Sequence, residues 1–141
     1  MTCPICAKHR GEGDLVGPVL WADDLVVVSH IGSGFPGYVL VETRRHVAYF
    51  DELTPDEVVA VARAAHGAAR VLKAVLEPLF VFSCIVGRGV AHFHQHVFVR
   101  HPGTPPELDW TWVESPLWPA AEIEALCDSL RAGMTDVMAG S

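Results

Sequence analysis

The chain has 141 residues, half of them apolar and 19% charged, a composition that supports one folded domain with its own core and marks the chain as globular, not disordered. Its formal net charge of −7 excludes bulk binding to nucleic acid, which relies on Lys and Arg to displace counterions, but not a small phosphorylated ligand. No basic leader precedes an apolar run and no apolar stretch approaches ~20 residues, so neither signal peptide nor membrane span is expected and the protein is read as cytoplasmic.

The chain opens on Cys3 and Cys6, a Cys-x-x-Cys pair followed by the turn-rich Gly11-Glu12-Gly13-Asp14. In a reducing compartment such a pair points to metal binding or redox chemistry before a structural disulfide. Cys84 and Cys127 lie in apolar or helical patterns and read as small core residues. Leu25 to Ser29 is short and β-branched, a strand. The turn chemistry of Gly32-Ser33-Gly34-Phe35-Pro36-Gly37 separates it from a second strand over Tyr38 to Thr43, expected to pair antiparallel with the first. Thr54-Pro55-Asp56-Glu57 combines an N-cap, a proline at the first helical position and a capping-box glutamate. The apolar stripe behind it predicts a helix that stops before Pro78. Leu79 to Val86 is a third strand and Gly87-Arg88-Gly89 a turn. His92 to Arg100 is a fourth strand, and a last helix is predicted from Ala120 to Met138. Between them runs a Pro- and Trp-rich stretch with Trp110, Trp112 and Trp118, aromatic residues read as core or interface anchors. With no repeat and no linker, residues 1–141 form a single α+β domain, a mainly antiparallel sheet with one long helix packed on it.

The chemistry concentrates in His92-Phe93-His94-Gln95-His96-Val97-Phe98. On a strand the side chains alternate, so 92, 94 and 96 share a face with Cα atoms about 6–7 Å apart in order. Three imidazoles in a row can chelate a metal, donate to a phosphate, or supply a nucleophile held in one tautomer by its neighbours. Phe93, Val97 and Val99 point to the core, and Gln95 interrupts that apolar face. His9, His66 and His101 carry no functional expectation; His66 and His101 are read as facing solvent.

This run resembles the His-φ-His-φ-His-φφ motif of the histidine triad (HIT) superfamily, with Gln95 the one departure within it. Residues 3–101 follow that family's order: a Cys-x-x-Cys, a strand ending in a basic pair and histidine (Val41 to His46), a helix opening like Thr54 to Glu57, a strand, a glycine turn and the triad strand. Residues 102–141 stand outside it as an extension. The resemblance implies a HIT-like antiparallel sheet of about five strands with one long helix plus a C-terminal helix, a homodimer, and a nucleotide or nucleotide-conjugate substrate. It implies His94 as nucleophile on the α-phosphorus, with His96 contacting phosphate and managing protons. His92, Gly87, Arg88 and Gly89 fall in its phosphate-binding region, where glycine lets backbone N–H groups approach phosphoryl oxygens. From its zinc-containing branch it implies a structural Zn2+ on Cys3, Cys6, His46 and His92. His30 stands where the family places a ribose-binding aspartate, and the turn at Gly87 to Gly89 is shorter than the usual segment. These departures keep a second reading open, a non-enzymatic zinc-stabilised binding protein for a nucleotide or protein partner. A catalytic metal centre on the triad itself is a third.

Overall fold

The computed structural model describes residues 2–108 and 116–140; Trp110 and Trp112 lie outside the described residues. The elements in chain order are α1 (Pro4–His9), β1 (Val19–Ala22), β2 (Val26–His30), β3 (Tyr38–Thr43), a 3-10 turn (Phe50–Glu52), α2 (Pro55–Leu76), β4 (Phe80–Cys84), β5 (His94–Arg100) and α3 (Ala120–Ala139). The five strands make one antiparallel sheet in the order β1-β2-β3-β5-β4, and no described helix is long and apolar enough to cross a membrane.

One face of the sheet is covered by α2 and α3. Val26 and Val28 of β2, Val39 and Val41 of β3, and Val97 and Val99 of β5 alternate onto that face and are buried against Val61, Ala64, Ala68 and Leu72 of α2 and Leu126, Leu130 and Met134 of α3. Small side chains set the closeness of the helix pair. A Cβ on Gly133 would lie 2.6 Å from Val71, and one on Gly67 would lie 3.0 Å from the Met138 sulfur.

The start of α2 is fastened twice. Thr54 Oγ1 accepts from the Glu57 N–H at 3.1 Å and Glu57 Oε1 accepts from the Thr54 N–H at 2.9 Å, the reciprocal capping box. The same carboxylate takes Arg45 through Nε at 3.1 Å and a terminal nitrogen at 2.7 Å, so the second residue of the basic pair secures the helix to the end of β3. At the far end Glu77 adopts φ +48° before Pro78, a left-handed helix cap on a non-glycine residue.

Four expectations are corrected. The triad strand begins at His94, not His92, because the chain bends at residues 91–92 to join the N-terminal segment. His92 is therefore not on a common strand face with His94 and His96. Residues 4–9 form a helix within the lead-in expected to be turn-rich, and Val19–Ala22 adds an edge strand that was not predicted. His101 is buried, with Nε2 donating to the Pro36 carbonyl at 2.7 Å, whereas His66 is exposed as expected.

Candidate active site and metal centre

The uncovered face of the sheet carries the chemistry. Register pairs Glu42 with His94 and Leu40 with His96 across β3 and β5, and Cys84 with His96 across β4 and β5. Cross-strand partners share a face, so His94, His96, Leu40, Glu42, Tyr38 and Cys84 form one surface. His94 and His96 have ring centroids 5.1 Å apart and sit where two cavities meet. One, of about 510 Å³, is lined by Asp14, Leu15, Val16, Ile31, Ser33 and Leu40. The other, of about 320 Å³, is walled by Tyr38, Cys84 and Gly87-Arg88-Gly89. Gly87 has φ +69°, a conformation that favours glycine, so the turn beside the histidines needs it. Gly87, Arg88 and Gly89 are thus brought to the same place as His94 and His96.

The two ring nitrogens of His94 are not equivalent. Nδ1 lies 2.7 Å from the His92 carbonyl oxygen. A carbonyl only accepts, so Nδ1 carries the proton and Nε2 keeps its lone pair. Burial pushes the His96 imidazole down from its ordinary value, and the neighbouring His94 adds to the shift.

His92 is fully buried and serves a different centre. Nε2 donates to the Thr43 carbonyl at 2.6 Å, which leaves Nδ1 bare and turned toward two sulfurs, Cys3 Sγ at 3.4 Å and Cys6 Sγ at 3.5 Å. His46 Nδ1 lies 3.5 Å from Cys6 Sγ, and the four ligand atoms all fall within 4.8 Å of one another. A tetrahedral zinc with bonds of ~2.3 Å to sulfur and ~2.0 Å to nitrogen requires sulfur–nitrogen edges of about 3.6 Å, so the donor set has the size of such an ion. Burial and the neighbouring Cys3 push the Cys6 thiol up, and a cation bound at the set would act in the opposite sense. The Thr43 carbonyl fixes the orientation of the His92 ring, as an outer partner would for an imidazole that binds a metal. The cluster is compatible with a metal site, and the His92 side chain is accordingly withdrawn from phosphate binding.

His30 is also withdrawn from ligand binding. Alternation along β2 puts it with Val26 and Val28, opposite Val39, on the helix-covered face. It is fully buried, Nδ1 donates to the Ile31 carbonyl at 2.8 Å and Nε2 accepts from the Gly37 N–H at 2.9 Å. Both nitrogens are used by backbone, and burial lowers its pKa, so it is a neutral structural residue closing the β2–β3 loop. Gly17 packs on it so tightly that a Cβ would lie 2.2 Å from the His30 carbonyl oxygen.

Two residues were not singled out by sequence. Tyr38 places its hydroxyl 2.8 Å from His96 Nδ1. Glu42, fully buried beside His94, bonds Lys8 Nζ and His9 Nε2, each at 2.9 Å. Burial alone raises the Glu42 pKa, but the His9 hydrogen bond and the Lys8 charge outweigh it and hold the carboxyl below its ordinary range. The His9 ring also stands edge-on to His92, centroids 5.6 Å apart. The ion cluster thus joins α1 to the sheet between the Cys3–Cys6–His46–His92 set and His94 and His96. Residue spacing carries no signal for either contact.

The sequence profile of the HIT domain matches residues 18–103, well over half of the chain. The chain belongs to the HIT family. No curated protein matches this HIT chain in sequence. Its fold matches a zinc-bound histidine triad family protein from Mycobacterium smegmatis at 20% identity and TM-score 0.75, over 100% of this chain and 99% of that one. A hypothetical histidine triad nucleotide-binding protein from Sulfolobus tokodaii matches at 17% identity and TM-score 0.73, over 96% and 93%. A HIT family protein from Bacillus anthracis matches at 18% identity and TM-score 0.65, over 99% and 97%. The antiparallel sheet and the C-terminal helix of this HIT domain are therefore shared along nearly the whole length of these structures.

Proposed function

We propose that this HIT protein is a nucleotide hydrolase or transferase that cleaves a phosphoanhydride or phosphoramidate bond through a covalent intermediate on His94. The observation that carries the reading is the 2.7 Å bond from His94 Nδ1 to the His92 carbonyl, which commits the proton to one nitrogen and leaves the other as a nucleophile facing a cavity. The Nε2 lone pair forms a bond to the α-phosphorus while the bond from phosphorus to the departing oxygen or nitrogen breaks. The electron pair leaves with that atom, which takes up a proton. Water then adds to the phosphorus and gives up a proton to solvent as the phosphorus–nitrogen bond breaks and the electron pair returns to His94 Nε2. Splitting one displacement into two easier ones is the benefit of covalent catalysis. His96, Arg88 and the backbone N–H groups at Gly87 and Gly89 supply donors around the phosphoryl oxygens.

The Cys3, Cys6, His46 and His92 set would hold Zn2+ with four protein ligands and no open position, hence a structural ion. Zinc held by two thiolates suits a cytoplasmic protein, where thiols stay reduced. A homodimer is supported by the place of β4 at the edge of the sheet and by Leu79 and Phe80 there, each about half exposed.

The test is intact-protein mass after incubation with fluorogenic nucleoside phosphoramidates and with dinucleoside polyphosphates, wild type against His94→Ala, with product release followed in parallel. Turnover, or a gain of one nucleotide mass, in wild type alone is the expected result. Neither turnover nor adduct across the panel, with nucleotide still bound, overturns the reading in favour of a binding protein on the same fold.

A further inference from the structure

His94 and His96 are two residues apart on β5, yet their surroundings use the ring nitrogens in opposite senses. His94 gives its Nδ1 proton to a carbonyl. His96 Nδ1 faces the hydroxyl of Tyr38 at 2.8 Å. Tyr38 is held in place independently of that bond, because its ring stacks on Phe98 with centroids 4.8 Å apart and planes 9° from parallel. A phenol hydroxyl can donate, and the bare nitrogen of a neutral imidazole accepts. At neutral pH both partners are uncharged. Burial, with Cys84 adding to it, pushes Tyr38 up to about 12, and burial lowers His96.

We propose that Tyr38 is a positioning residue that donates to His96 Nδ1, confines the imidazole proton to Nε2, and so turns His96 into a hydrogen-bond donor for the phosphoryl group held beside His94. The inference rests on the nucleotide reading above and deepens it. Two adjacent imidazoles of identical chemistry become complementary: His94 offers a lone pair and His96 an N–H. With His96 in the other tautomer, two lone pairs would face one anionic phosphate and repel it. The titratable groups around His96 are Tyr38 and Glu42 on β3, Cys84 on β4, His94 on its own strand, Arg88 in the glycine turn and Asp14 in the N-terminal loop. Among them, Tyr38 alone forms a described hydrogen bond to the His96 ring. Glu42 is already bonded to Lys8 and His9.

Tyr38→Phe tests this with little risk to the fold, since phenylalanine keeps the stack on Phe98 and loses only the hydroxyl. The first readout is the histidine nitrogen spectrum of metal-loaded, full-length protein across pH 5–9, which assigns tautomer and pKa for each ring without any substrate. Wild-type His96 is expected as the Nε2–H form. In Tyr38→Phe it should become a tautomer mixture, with its pKa raised by about half a unit to one unit because the neutral form has lost a hydrogen bond. The second readout is hydrolysis of a fluorogenic nucleoside phosphoramidate. There kcat should fall about ten- to a hundred-fold with KM changed less than three-fold, and the acid limb of the pH profile should follow the His96 pKa upward. A wild-type His96 that carries its proton on Nδ1 overturns the proposal, as does a Tyr38→Phe variant with unchanged tautomer, unchanged kcat, or a loss confined to KM. Wild-type protein that turns over no substrate overturns the nucleotide reading instead, and the spectrum still decides the tautomer assignment by itself.

Discussion

At the metal corner His92 is fully buried, its Nε2 tied to Thr43 and its Nδ1 turned toward Cys3 and Cys6. Two residues on, His94 is half-buried, its Nδ1 tied to the carbonyl of that same His92 and its Nε2 without a hydrogen bond among the described residues. The repeat in the sequence is regular, and the backbone divides it: His92 lies in the bend before β5, whereas His94 and His96 lie on the strand. An imidazole whose outer nitrogen donates to a carbonyl has a lone pair to give at the other. What surrounds that lone pair differs: two sulfurs at His92, whereas His94 lines a cavity. The two regions share one residue but use different parts of it, the His92 side chain for the metal set and the His92 carbonyl for His94.

That division is broken most severely by His92→Ala, which removes the imidazole and keeps the carbonyl. Metal content of the purified protein should fall from about one ion per chain to near zero. The thermal midpoint should fall by at least about 10 °C, consistent with roughly 3 kcal/mol or more for losing a structural ion and a buried ring. The turnover per folded molecule should drop far less than in His94→Ala, because the bond that sets the His94 tautomer is made by backbone. Equal losses of turnover in the two variants would show that the regions are not separable.

Glu42→Ala attacks the joint between them. It leaves the Lys8 ammonium buried without its partner, a loss of about 3 kcal/mol, and frees α1 from the sheet. Urea unfolding should register the destabilisation, and nucleotide affinity should fall with it, since Asp14, Leu15 and Val16 line the cavity beside His94. A variant as stable as wild type would mean that the ion cluster contributes nothing net.

The smallest effect is on pH. His30 is held neutral when folded, with its pKa depressed by burial, so the unfolded chain takes up this proton first as pH falls. Its contribution is complete above the unfolded value of about 6.5. It is lost as pH falls from there toward the folded value, at up to about 1.4 kcal/mol per pH unit. Glu42, also depressed, loses its contribution on acidification and acts in the same direction. Melting temperatures should therefore be flat from pH 8 to 7 and decline below 6.5, with a shallower decline in His30→Gln. A slope unchanged by that substitution would remove His30 from the account.

The parts of the molecule that were legible in the sequence are those built from local rules. The helix from Thr54 onward announces itself by capping chemistry and stripe, and β3 by its β-branched run bounded by turns. The four metal-set residues followed from the family pattern, and the structure brings their donor atoms together. The fate of His30 was available by counting, since Val26, Val28 and His30 alternate onto one face, but the family position pointed the other way. Glu42 and Tyr38 were not legible. A glutamate near a strand end reads as solvent-facing until Lys8 and His9 arrive from more than thirty residues away, and the Tyr38–His96 contact exists only through the register of β3 on β5. The helix α1 was missed for the same reason: its N-cap is a cysteine sulfur accepting at 3.4 Å from the Cys6 N–H, outside the usual capping residues.

That helix has six residues, far below the length at which a helix holds together alone in water. Its order is supplied from outside, by the sulfurs at one end, Glu42 beneath, and the close backbone contact of Gly17 with His30 where its loop rejoins the sheet. Residues 2–16 precede the first strand of the sheet, and a short segment held in this way is expected to open as a unit of its own. In hydrogen exchange they should lose protection as a block while β2, β3 and β5 keep theirs. A chelator in the buffer should detach this block and leave the rest of the protein folded, with one wall of its ligand cavity missing.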